Sequence, residues 1–250
     1  MDDQVHAYQK VSWDTIAVAY DSLSSAVPHS DDVAAIEEAL PEGASVLELG
    51  SGTGRVSIPL SEAGFHVTSA DISGEMCDRL RRKDAGGKVN VHHADARSLR
   101  IPGASFDAVL CLFNTITYAT TQQAQREVLR TIAAHLRPTG HAYLEFSAPD
   151  AVVREWGPGP KVVPTAIGEG SLTTMAGRFV AHTQRLDIAH THRRPDGEVF
   201  FETQQRIIWP AELALMAELE GLKVVGEFRD WRWSPYQMPA AQYIAKLAVR

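Results

Sequence analysis

A glycine-rich turn near residue 50 constrains the fold of this chain more than any other feature. Residues 46–49 are apolar apart from one acidic residue, and Gly50, Gly52 and Gly54 follow at alternate positions. A short apolar run that ends in glycines is typical of a buried strand, and glycine lets the backbone turn sharply and approach a ligand. We expect a helix to begin near Arg55, with its free N–H groups facing the turn. The sequence therefore predicts a strand–turn–helix site for a nucleotide-like ligand.

The acidic residue directly ahead of the glycines, Glu48, narrows the kind of ligand. A carboxylate at this place repels a pyrophosphate and attracts a cation that carries an amine. A dinucleotide-binding fingerprint also requires glycine or another small residue where Arg55 stands. Both residues therefore argue against a nicotinamide oxidoreductase built on the same kind of sheet.

Further stretches follow the glycine turn in a fixed order. Asp71 ends the second predicted strand about twenty residues after Gly50, where a carboxylate can bind both hydroxyls of a ribose. The third predicted strand ends at Asp95. The sequence FDAVLCLFN at 106–114 fits a fourth buried strand with its following loop, and LRPTG at 136–140 fits a turn before a fifth strand.

In this order and spacing, the stretches resemble the class I S-adenosylmethionine-dependent methyltransferases, from about residue 33 to the C-terminus. The resemblance implies that S-adenosyl-L-methionine is the cofactor, that S-adenosyl-L-homocysteine is its product, and that no metal takes part. It implies that Glu48 contacts the methionine moiety, directly or through water, and that Asp95 accepts a hydrogen bond from the adenine amine. Thr139 departs from the family pattern, which has glycine there. The expected cofactor-binding residues are Tyr20, Glu48, Gly50, Gly52, Gly54, Arg55, Asp71, Ile72, Met76, Asp95, Ala96, Leu112 and Phe113.

Strand and helix patterns alternate as far as the fifth strand, which indicates a parallel doubly wound sheet. The predicted fold is α/β, with a seven-stranded, Rossmann-like methyltransferase sheet and a small antiparallel β insertion after the fifth strand. We expect an N-terminal lid segment at 1–30, a cofactor-binding core at 31–148 and 210–250, and an inserted region at 149–209. The insertion is expected to cover the substrate or to pair with a second subunit.

The composition of the inserted region predicts its local structure. Frequent proline and glycine between 147 and 164 indicate an irregular loop, and 172–175, 179–192 and 199–209 have strand-like composition. The sequence RPDG at 194–197 is a hairpin turn signal between the last two strands. The sequence thus predicts three antiparallel strands.

The loop after the fourth strand bears on the acceptor of the methyl group. Residues 113–118, FNTITY, resemble the loop of small-molecule N-methyltransferases, including aminosugar N,N-dimethyltransferases and glycine-type enzymes. Tyr118 stands where the aminosugar enzymes can have a functional histidine, so we expect it to hydrogen-bond the amine or form a wall for it. A Tyr-Asp pair at 20–21 resembles the lid of such enzymes; for Tyr20, lid and packing roles both stay open. The candidate catalytic residues are Tyr8, Phe113, Asn114, Tyr118, Glu145 and His182.

A hydroxyl acceptor needs a general base, whereas a neutral amine does not. His182, His190 and His192 share strand parity, so one face of the insertion is expected to carry all three. Glu145, near the end of the fifth predicted strand, points either into the core or into the cleft at the carboxyl edge of the sheet. We favour the cleft, because an unpaired buried carboxylate is costly. The aromatic loop at 231–236 is open to two interpretations, core packing or substrate stacking.

Charge and hydropathy limit the partners. The net charge is −7, and the sequence RLRRK at 79–83 is interpreted as a solvated helix face, so nucleic acid is not an expected partner. No apolar run is long enough to span a membrane, and no secretory segment stands at the N-terminus, so we expect a cytoplasmic protein without a membrane partner. Phe179, Phe200 and Phe201 in the insertion favour a homo-oligomer.

The sequence thus predicts an S-adenosylmethionine-dependent methyltransferase that acts on an amine of a small molecule. The resemblance suggests specialised metabolism, with an aminosugar or amino-acid-derived antibiotic precursor as acceptor. One alternative is a small-molecule O-methyltransferase with a histidine or glutamate base. Another is a regulator that binds S-adenosylmethionine without turnover.

Overall fold

The computed structural model describes residues 12–18, 20–21, 30–157, 159–166, 172–195 and 197–250. Tyr8 lies outside these residues. The helices are α1 (12–18 and 20–21), α2 (Ser30–Ala39), α3 (Ser57–Glu62), α4 (Gly74–Lys83), α5 (Gln122–His135), α6 (Pro149–Trp156) and α7 (Pro210–Leu219). The strands are β1 (Ser45–Leu49), β2 (His66–Asp71), β3 (Asn90–His93), β4 (Phe106–Cys111), β5 (Leu136–Ser147), β6 (Lys161–Ala166), β7 (Leu172–Val180), β8 (Arg185–Arg194), β9 (Gly197–Arg206), β10 (Leu222–Phe228) and β11 (Gln242–Val249).

The main sheet has seven strands in the order β10-β11-β5-β4-β1-β2-β3. Strands β1 to β5 run parallel, and β11 is antiparallel to both of its neighbours. This is the predicted seven-stranded α/β sheet. Since the order reverses on either side of β1 and β4, the carboxyl ends of these two strands open a crevice for a ligand.

Local signals account for the helix boundaries that were predicted. Ser73 and Thr121 each accept a hydrogen bond from a backbone N–H three residues later, at the start of α4 and α5. The helix after the glycine turn begins at Ser57, two residues later than expected from Arg55. Pro59 lies in its first turn, where a missing N–H costs no helical hydrogen bond.

Two apolar layers enclose the main sheet. One packs α5 and α7 against a face of the sheet, with Leu129, Ile132 and Leu213 fully buried. The other packs α2 to α4 on the opposite face around Ile36, Leu60 and other buried residues. The sheet is therefore covered on both faces, as a parallel sheet requires.

The inserted region differs in part from its prediction. It forms a four-stranded antiparallel sheet, β6-β7-β8-β9, which we call the second sheet. The expected loop over 147–164 is wrong, because Pro149 begins α6 and β6 follows. Trp156, at the end of α6, packs closely on Gly177, where an added Cβ would lie 2.7 Å from its ring.

The expected strand over 179–192 is also wrong. A 3₁₀ turn, Ala181–Thr183, and Gln184 in the left-handed region (φ 56°) divide it into β7 and β8. No helix within the described residues is long and apolar enough to cross a membrane.

Candidate active site

The glycine turn after β1 is held tightly between two neighbouring segments. The N–H groups of Gly50 and Ser51 donate to the carbonyl oxygen of Ala70, at 2.8 and 3.2 Å. Gly50 has a φ of 75°, and a Cβ there would overlap the side chain of Thr115 in the loop after β4. A side chain at this position would therefore strain the turn and displace that loop.

A cleft that is partly open to solvent lies at the carboxyl ends of β1, β2 and β4. Its walls include Trp13, Tyr118 and the segment 94–97. Nine of the expected cofactor-binding residues line this cleft, namely Tyr20, Gly50, Gly52, Asp71, Ile72, Met76, Asp95, Ala96 and Phe113. The glycine turn, the end of β2 and the loop after β4 thus meet in one cavity.

Asp71 presents a fixed carboxylate to the cleft. Its Oδ2 accepts from Gly52 N and its Oδ1 from Ser73 N, both at 2.8 Å. Burial raises the pKa of the Asp71 carboxyl, and the two backbone donors oppose that rise. Each carboxylate oxygen has more than one lone pair, so both oxygens keep the capacity to accept from ligand hydroxyls.

Asp95 is oriented by the residue two positions later. Its Oδ1 accepts from Arg97 N at 2.8 Å, and the Arg97 guanidinium forms an ion pair with Oδ2 at 2.9 Å. Ile72, Met76 and Ala96 supply apolar surface nearby in the same cleft. This part of the lining therefore combines apolar side chains with a carboxylate, which suits an adenine ring with an exocyclic amine.

Four expected cofactor-binding residues do not line the cleft. Glu48 is buried behind the glycine turn, where it accepts a hydrogen bond from Ser57 Oγ, and burial raises its pKa to about 7. Gly54 packs against α4, Leu112 is buried in the core, and Arg55 pairs with Asp32 at 2.5 Å. These residues support the wall of the cleft from behind.

Helix α1 lies across the cleft and carries aromatic side chains into it. Trp13 packs edge-on against Tyr20 and Tyr118, with centroid distances of 6.4 and 4.9 Å. Burial raises the pKa of Tyr20 to about 12, so its hydroxyl is neutral. The contribution of Trp13 was not predicted, because helical spacing alone assigns it to core packing.

Carboxylates hold α1 in place near both of its ends. Asp14 Oδ1 accepts from Ser73 Oγ at 2.5 Å. Asp21 accepts from Lys83 Nζ at 2.9 Å and from Thr53 Oγ1. Because Ser73 caps α4 and Thr53 belongs to the glycine turn, α1 is fastened to the two segments that border the cleft.

The loop after β4 is in a constrained conformation. Phe113 and Asn114 both have positive φ, 51° and 67°, and such residues persist only where neighbouring groups hold them. Phe113 N donates to Glu145 Oε2 at 3.1 Å, and Asn114 Oδ1 accepts from Ser147 N at 2.8 Å. Phe113 also lies under the Arg55 guanidinium, 5.7 Å from the ring centroid.

The expectation that Glu145 opens into the cleft is wrong. Its side chain is 3% exposed, and Oε1 accepts from Trp231 Nε1 at 3.2 Å and from Gln242 Nε2 at 2.9 Å. Together with Phe113 N, these donors satisfy the carboxylate internally, as a buried polar group requires. Glu145 therefore braces the loop after β4, and Trp231 belongs to the core.

The histidines of the insertion do not share one face. His182 lies in the exposed 3₁₀ turn between β7 and β8, whereas His190 and His192 lie on the same face of β8. Gln184 in the left-handed conformation breaks the strand alternation on which the expected parity depended. Tyr118 lines the cleft, and burial raises the pKa of its hydroxyl, which stays neutral and able to donate.

The cleft fits the cofactor that the resemblance implies. Asp71 lines it with a carboxylate, the group that the resemblance implies for the ribose, and Gly50 and Gly52 line it as well. In the described part of the chain, no group of three or more histidine, cysteine, aspartate or glutamate residues could hold a metal ion.

Comparison with known proteins agrees with this geometry. A family model described as a methyltransferase domain matches residues 46–140. The chain is 30% identical over 236 residues to the cypemycin N-terminal methyltransferase of a Streptomyces species, covering 94% of this chain and 96% of that protein. It is 29% identical over 116 residues to the dTDP-3-amino-3,6-dideoxy-alpha-D-glucopyranose N,N-dimethyltransferase of Streptomyces fradiae, covering 46% and 44% of the two chains.

A solved structure shares the whole architecture. The CcbJ methyltransferase from Streptomyces caelestis superposes with a TM-score of 0.88 at 26% identity, covering 95% of this chain and 98% of that one. Both the main sheet and the second sheet fall within that coverage. The chain belongs to the class I S-adenosylmethionine-dependent methyltransferases.

Proposed function

We propose that this enzyme transfers a methyl group from S-adenosyl-L-methionine to an amine of a small specialised metabolite. The cofactor supplies an electrophilic methyl group on a sulfonium sulfur. The acceptor nitrogen would contribute its lone pair to the new N–C bond while the S–C bond breaks, and S-adenosyl-L-homocysteine would leave with the electron pair of that bond. The resulting ammonium ion would lose one proton afterwards. A neutral amine therefore needs alignment and no strong base, and alignment can contribute about 7–11 kcal/mol to lowering the barrier.

The observation that carries this proposal is the distribution of charge in the cleft. Among the described lining residues, Asp71 and Asp95 are the carboxylates, and each already accepts hydrogen bonds from backbone N–H groups. The rest of the lining includes the neutral side chains Trp13, Phe113 and Tyr118. Such a surface favours the uncharged form of an amine, which is the form that reacts.

An O-methyltransferase would need a general base at the same place. Glu145 already accepts three hydrogen bonds from the protein, and His182 lies on an exposed turn. His190 is partly buried, and burial lowers its pKa to about 4, which makes it a weak proton acceptor. His192 is buried, and its Nδ1 is 2.9 Å from Thr173 Oγ1. The candidate bases of the hydroxyl alternative are thus occupied, exposed or weak.

The relatives favour amine chemistry in specialised metabolism. The cypemycin enzyme acts at an N-terminus, and the Streptomyces fradiae enzyme dimethylates an aminosugar, according to their names. We infer that the acceptor here is an amine on a peptide-like or sugar-like precursor of an antibiotic. Helix α1 then serves as a lid, and the region 149–209 covers the acceptor.

Two further proposals concern the assembly and the compartment. The outer face of the second sheet exposes Val162, Leu172 and Phe200, which supports a homo-oligomer that covers them. Light scattering of the purified chain tests this, and a strict monomer at high concentration would contradict it.

Both cysteines, Cys77 and Cys111, are buried free thiols, which supports a reducing compartment such as the cytoplasm.

Matched acceptors test the amine proposal directly. The enzyme is incubated with isotope-labelled S-adenosyl-L-methionine and three amines: glycine, a short peptide with a free N-terminus, and a nucleotide-linked aminosugar. The control for each is the analogue in which a hydroxyl replaces the amine. We expect transfer only to the amines, with a rate that rises as pH approaches the pKa of the acceptor. Transfer only to the hydroxyl analogues would refute the proposal.

A further inference from the structure

Three aromatic rings that line the cleft stand at right angles to one another. Trp13 of α1 is edge-on to Tyr20, at an interplanar angle of 83°, and to Tyr118, at 82°. All three residues line the cleft. In an edge-on pair, the face of one ring meets the face of the other at a right angle, so the pair forms corners with a π-electron face on both sides. We call Trp13, Tyr20 and Tyr118 the aromatic corner.

One tyrosine of the aromatic corner lies beside the glycine turn. Cε1 of Tyr20 is 3.6 Å from the place that a Cβ would take at Gly52. The N–H of Gly52 in turn donates to Oδ2 of Asp71, the carboxylate that suits the ribose. In S-adenosyl-L-methionine the sulfonium sulfur is joined to the ribose ring through a single carbon. A ribose held by Asp71 therefore brings the positive charge within reach of Tyr20.

The other tyrosine of the corner adjoins the same turn from the loop after β4. Tyr118 ends the 3₁₀ turn that begins at Thr115. The side chain of Thr115 fills the space that a Cβ would need at Gly50. Two walls of the corner thus approach the glycine turn from separate parts of the chain, and Trp13 joins them by contacting both rings.

The electrostatic surroundings of Tyr20 favour a cation. Burial raises the pKa of its hydroxyl to about 12. Among the charged groups that act on this hydroxyl, one guanidinium lowers the pKa and three carboxyl groups raise it; these are Arg55 and then Asp71, Glu48 and Asp21. More negative than positive charge therefore acts at this wall, and such a field attracts a positive ligand.

We propose that the aromatic corner binds the sulfonium group of S-adenosyl-L-methionine through cation–π contacts, with Trp13 as a cofactor-binding residue. A cation over an aromatic face, within about 6 Å of the ring centroid, is attracted by the negative face of the ring. Because Trp13 and Tyr118 contact each other directly, the sulfonium would lie in the cleft beside that contact and not between the two rings. The inference concerns the cofactor, so it holds for an amine or a hydroxyl acceptor.

The aromatic corner would distinguish the charged cofactor from its neutral product. When the methyl group forms its bond to the acceptor, the electron pair of the broken S–C bond stays on sulfur, which becomes an uncharged thioether. The cation–π contacts are then lost, whereas the contacts to adenosine and to the amino acid part remain. Before transfer, the bound sulfonium also repels a second positive charge, which agrees with an amine that reacts in its neutral form.

Three ligands separate the effect of charge from that of shape. S-adenosyl-L-methionine carries a sulfonium, sinefungin carries an ammonium group in its place, and S-adenosyl-L-homocysteine is neutral there. Calorimetric titration measures the affinity of each ligand without an acceptor. Trp13→Leu and Tyr118→Leu each remove one aromatic face, whereas Tyr118→Phe keeps it. The control is Trp209→Leu at the start of α7, where the tryptophan is exposed and does not line the cleft.

We expect Trp13→Leu and Tyr118→Leu each to lower the affinity for S-adenosyl-L-methionine and for sinefungin by about 5–30-fold, the size of a cation–π contact in a desolvated site. The affinity for S-adenosyl-L-homocysteine should fall by no more than about twofold, because that ligand has no charge for the rings to attract. Tyr118→Phe should bind all three ligands as the wild type does, and so should Trp209→Leu.

Equal losses of affinity for the three ligands in both leucine variants would overturn the inference, because the rings would then only pack. Unchanged affinities in both variants would overturn it as well. A loss for S-adenosyl-L-methionine but not for sinefungin would show contact with the methyl group and no recognition of charge, and would also refute it. If Trp13→Leu fails to fold, the same comparison in Tyr118→Leu decides.

These titrations are independent of the proposed amine methylation. They contain no acceptor, so a failed prediction here leaves the choice of acceptor untouched. Conversely, methyl transfer only to hydroxyl analogues would refute the amine proposal and leave the selective loss of affinity for the two charged ligands as expected.

Discussion

Replacing Glu48 by glutamine should stabilise the cofactor-free enzyme at alkaline pH and have little effect at acidic pH. Glu48 is 4% exposed and accepts a hydrogen bond from Ser57 Oγ. Glutamine keeps an oxygen for that hydrogen bond but cannot ionise. The comparison therefore isolates the cost of burying a carboxylate behind the glycine turn.

The magnitude follows from the pKa. Burial raises the pKa of Glu48 from its ordinary value of 4.5 to about 7, and one pKa unit corresponds to about 1.4 kcal/mol. The ionised carboxylate therefore lowers the free energy of unfolding by about 3 kcal/mol in all. The folded state holds this proton more tightly than the unfolded state, so stability is full below pH 4.5, falls as pH rises towards about 7, and then levels off.

Urea unfolding of both proteins at several pH values measures this effect. Glutamine adds an amide group whose cost does not depend on pH, so the informative quantity is the change with pH in the difference between the two proteins. Between about pH 5 and about pH 8, that difference should shift by about 2.5 kcal/mol in favour of Glu48→Gln. Glu62→Gln, at the exposed end of α3, is the control.

A difference that stays constant over this pH range would refute the reasoning. It would mean that Glu48 ionises equally easily in the folded and unfolded protein, so that burial is offset by groups such as Arg55. A shift of the opposite sign would mean that the folded enzyme stabilises the carboxylate. The control should show neither change.

Three other substitutions test the cleft. Asp71→Asn should weaken binding of S-adenosyl-L-methionine by about 1–3 kcal/mol in calorimetric titration, because charge-assisted hydrogen bonds are lost. The control, Asp78→Asn at an exposed position, should leave the affinity unchanged. Equal affinities of Asp71→Asn and the wild type would show that Asp71 is not part of the binding site. Gly50→Ala should lower the unfolding temperature, since it combines a positive φ with a clash against Thr115; an unchanged temperature would contradict the strain. Tyr118→Phe should slow turnover by about 10–100-fold, and full activity in that variant would show that its hydroxyl is not needed.

Much of the fold could be predicted because its signals are local. The glycine spacing that follows β1 requires a sharp turn, and Ser73 and Thr121 cap their helices through backbone groups three residues away. The end of β2 at Asp71 follows from the length of one strand–helix–strand unit. Such features depend on neighbours in the chain, so the sequence alone specifies the seven-stranded sheet and the position of the cleft.

The tertiary structure decided which way several side chains point and with what they pair. The sequence left both orientations of Glu145 open. The hydrogen-bond donors to its buried carboxylate come from the loop after β4, the turn before β11 and β11 itself. The frequent proline and glycine residues predicted a loop where the structure has α6, whose Trp156 packs closely on Gly177. One left-handed residue, Gln184, separates His182 from the other two histidines.

The environment of His190 illustrates the same division. The sequence places a histidine on a strand but cannot say what lies opposite. Its stacking on Phe201, its hydrogen bond with Thr203 and its depressed pKa all come from cross-strand pairing and burial. Contacts between separate strands have no local signature, because they form only when the strands of the second sheet pair. The sequence indicated which residues line the cleft, and the pairing of strands in the insertion decided what its side chains contact.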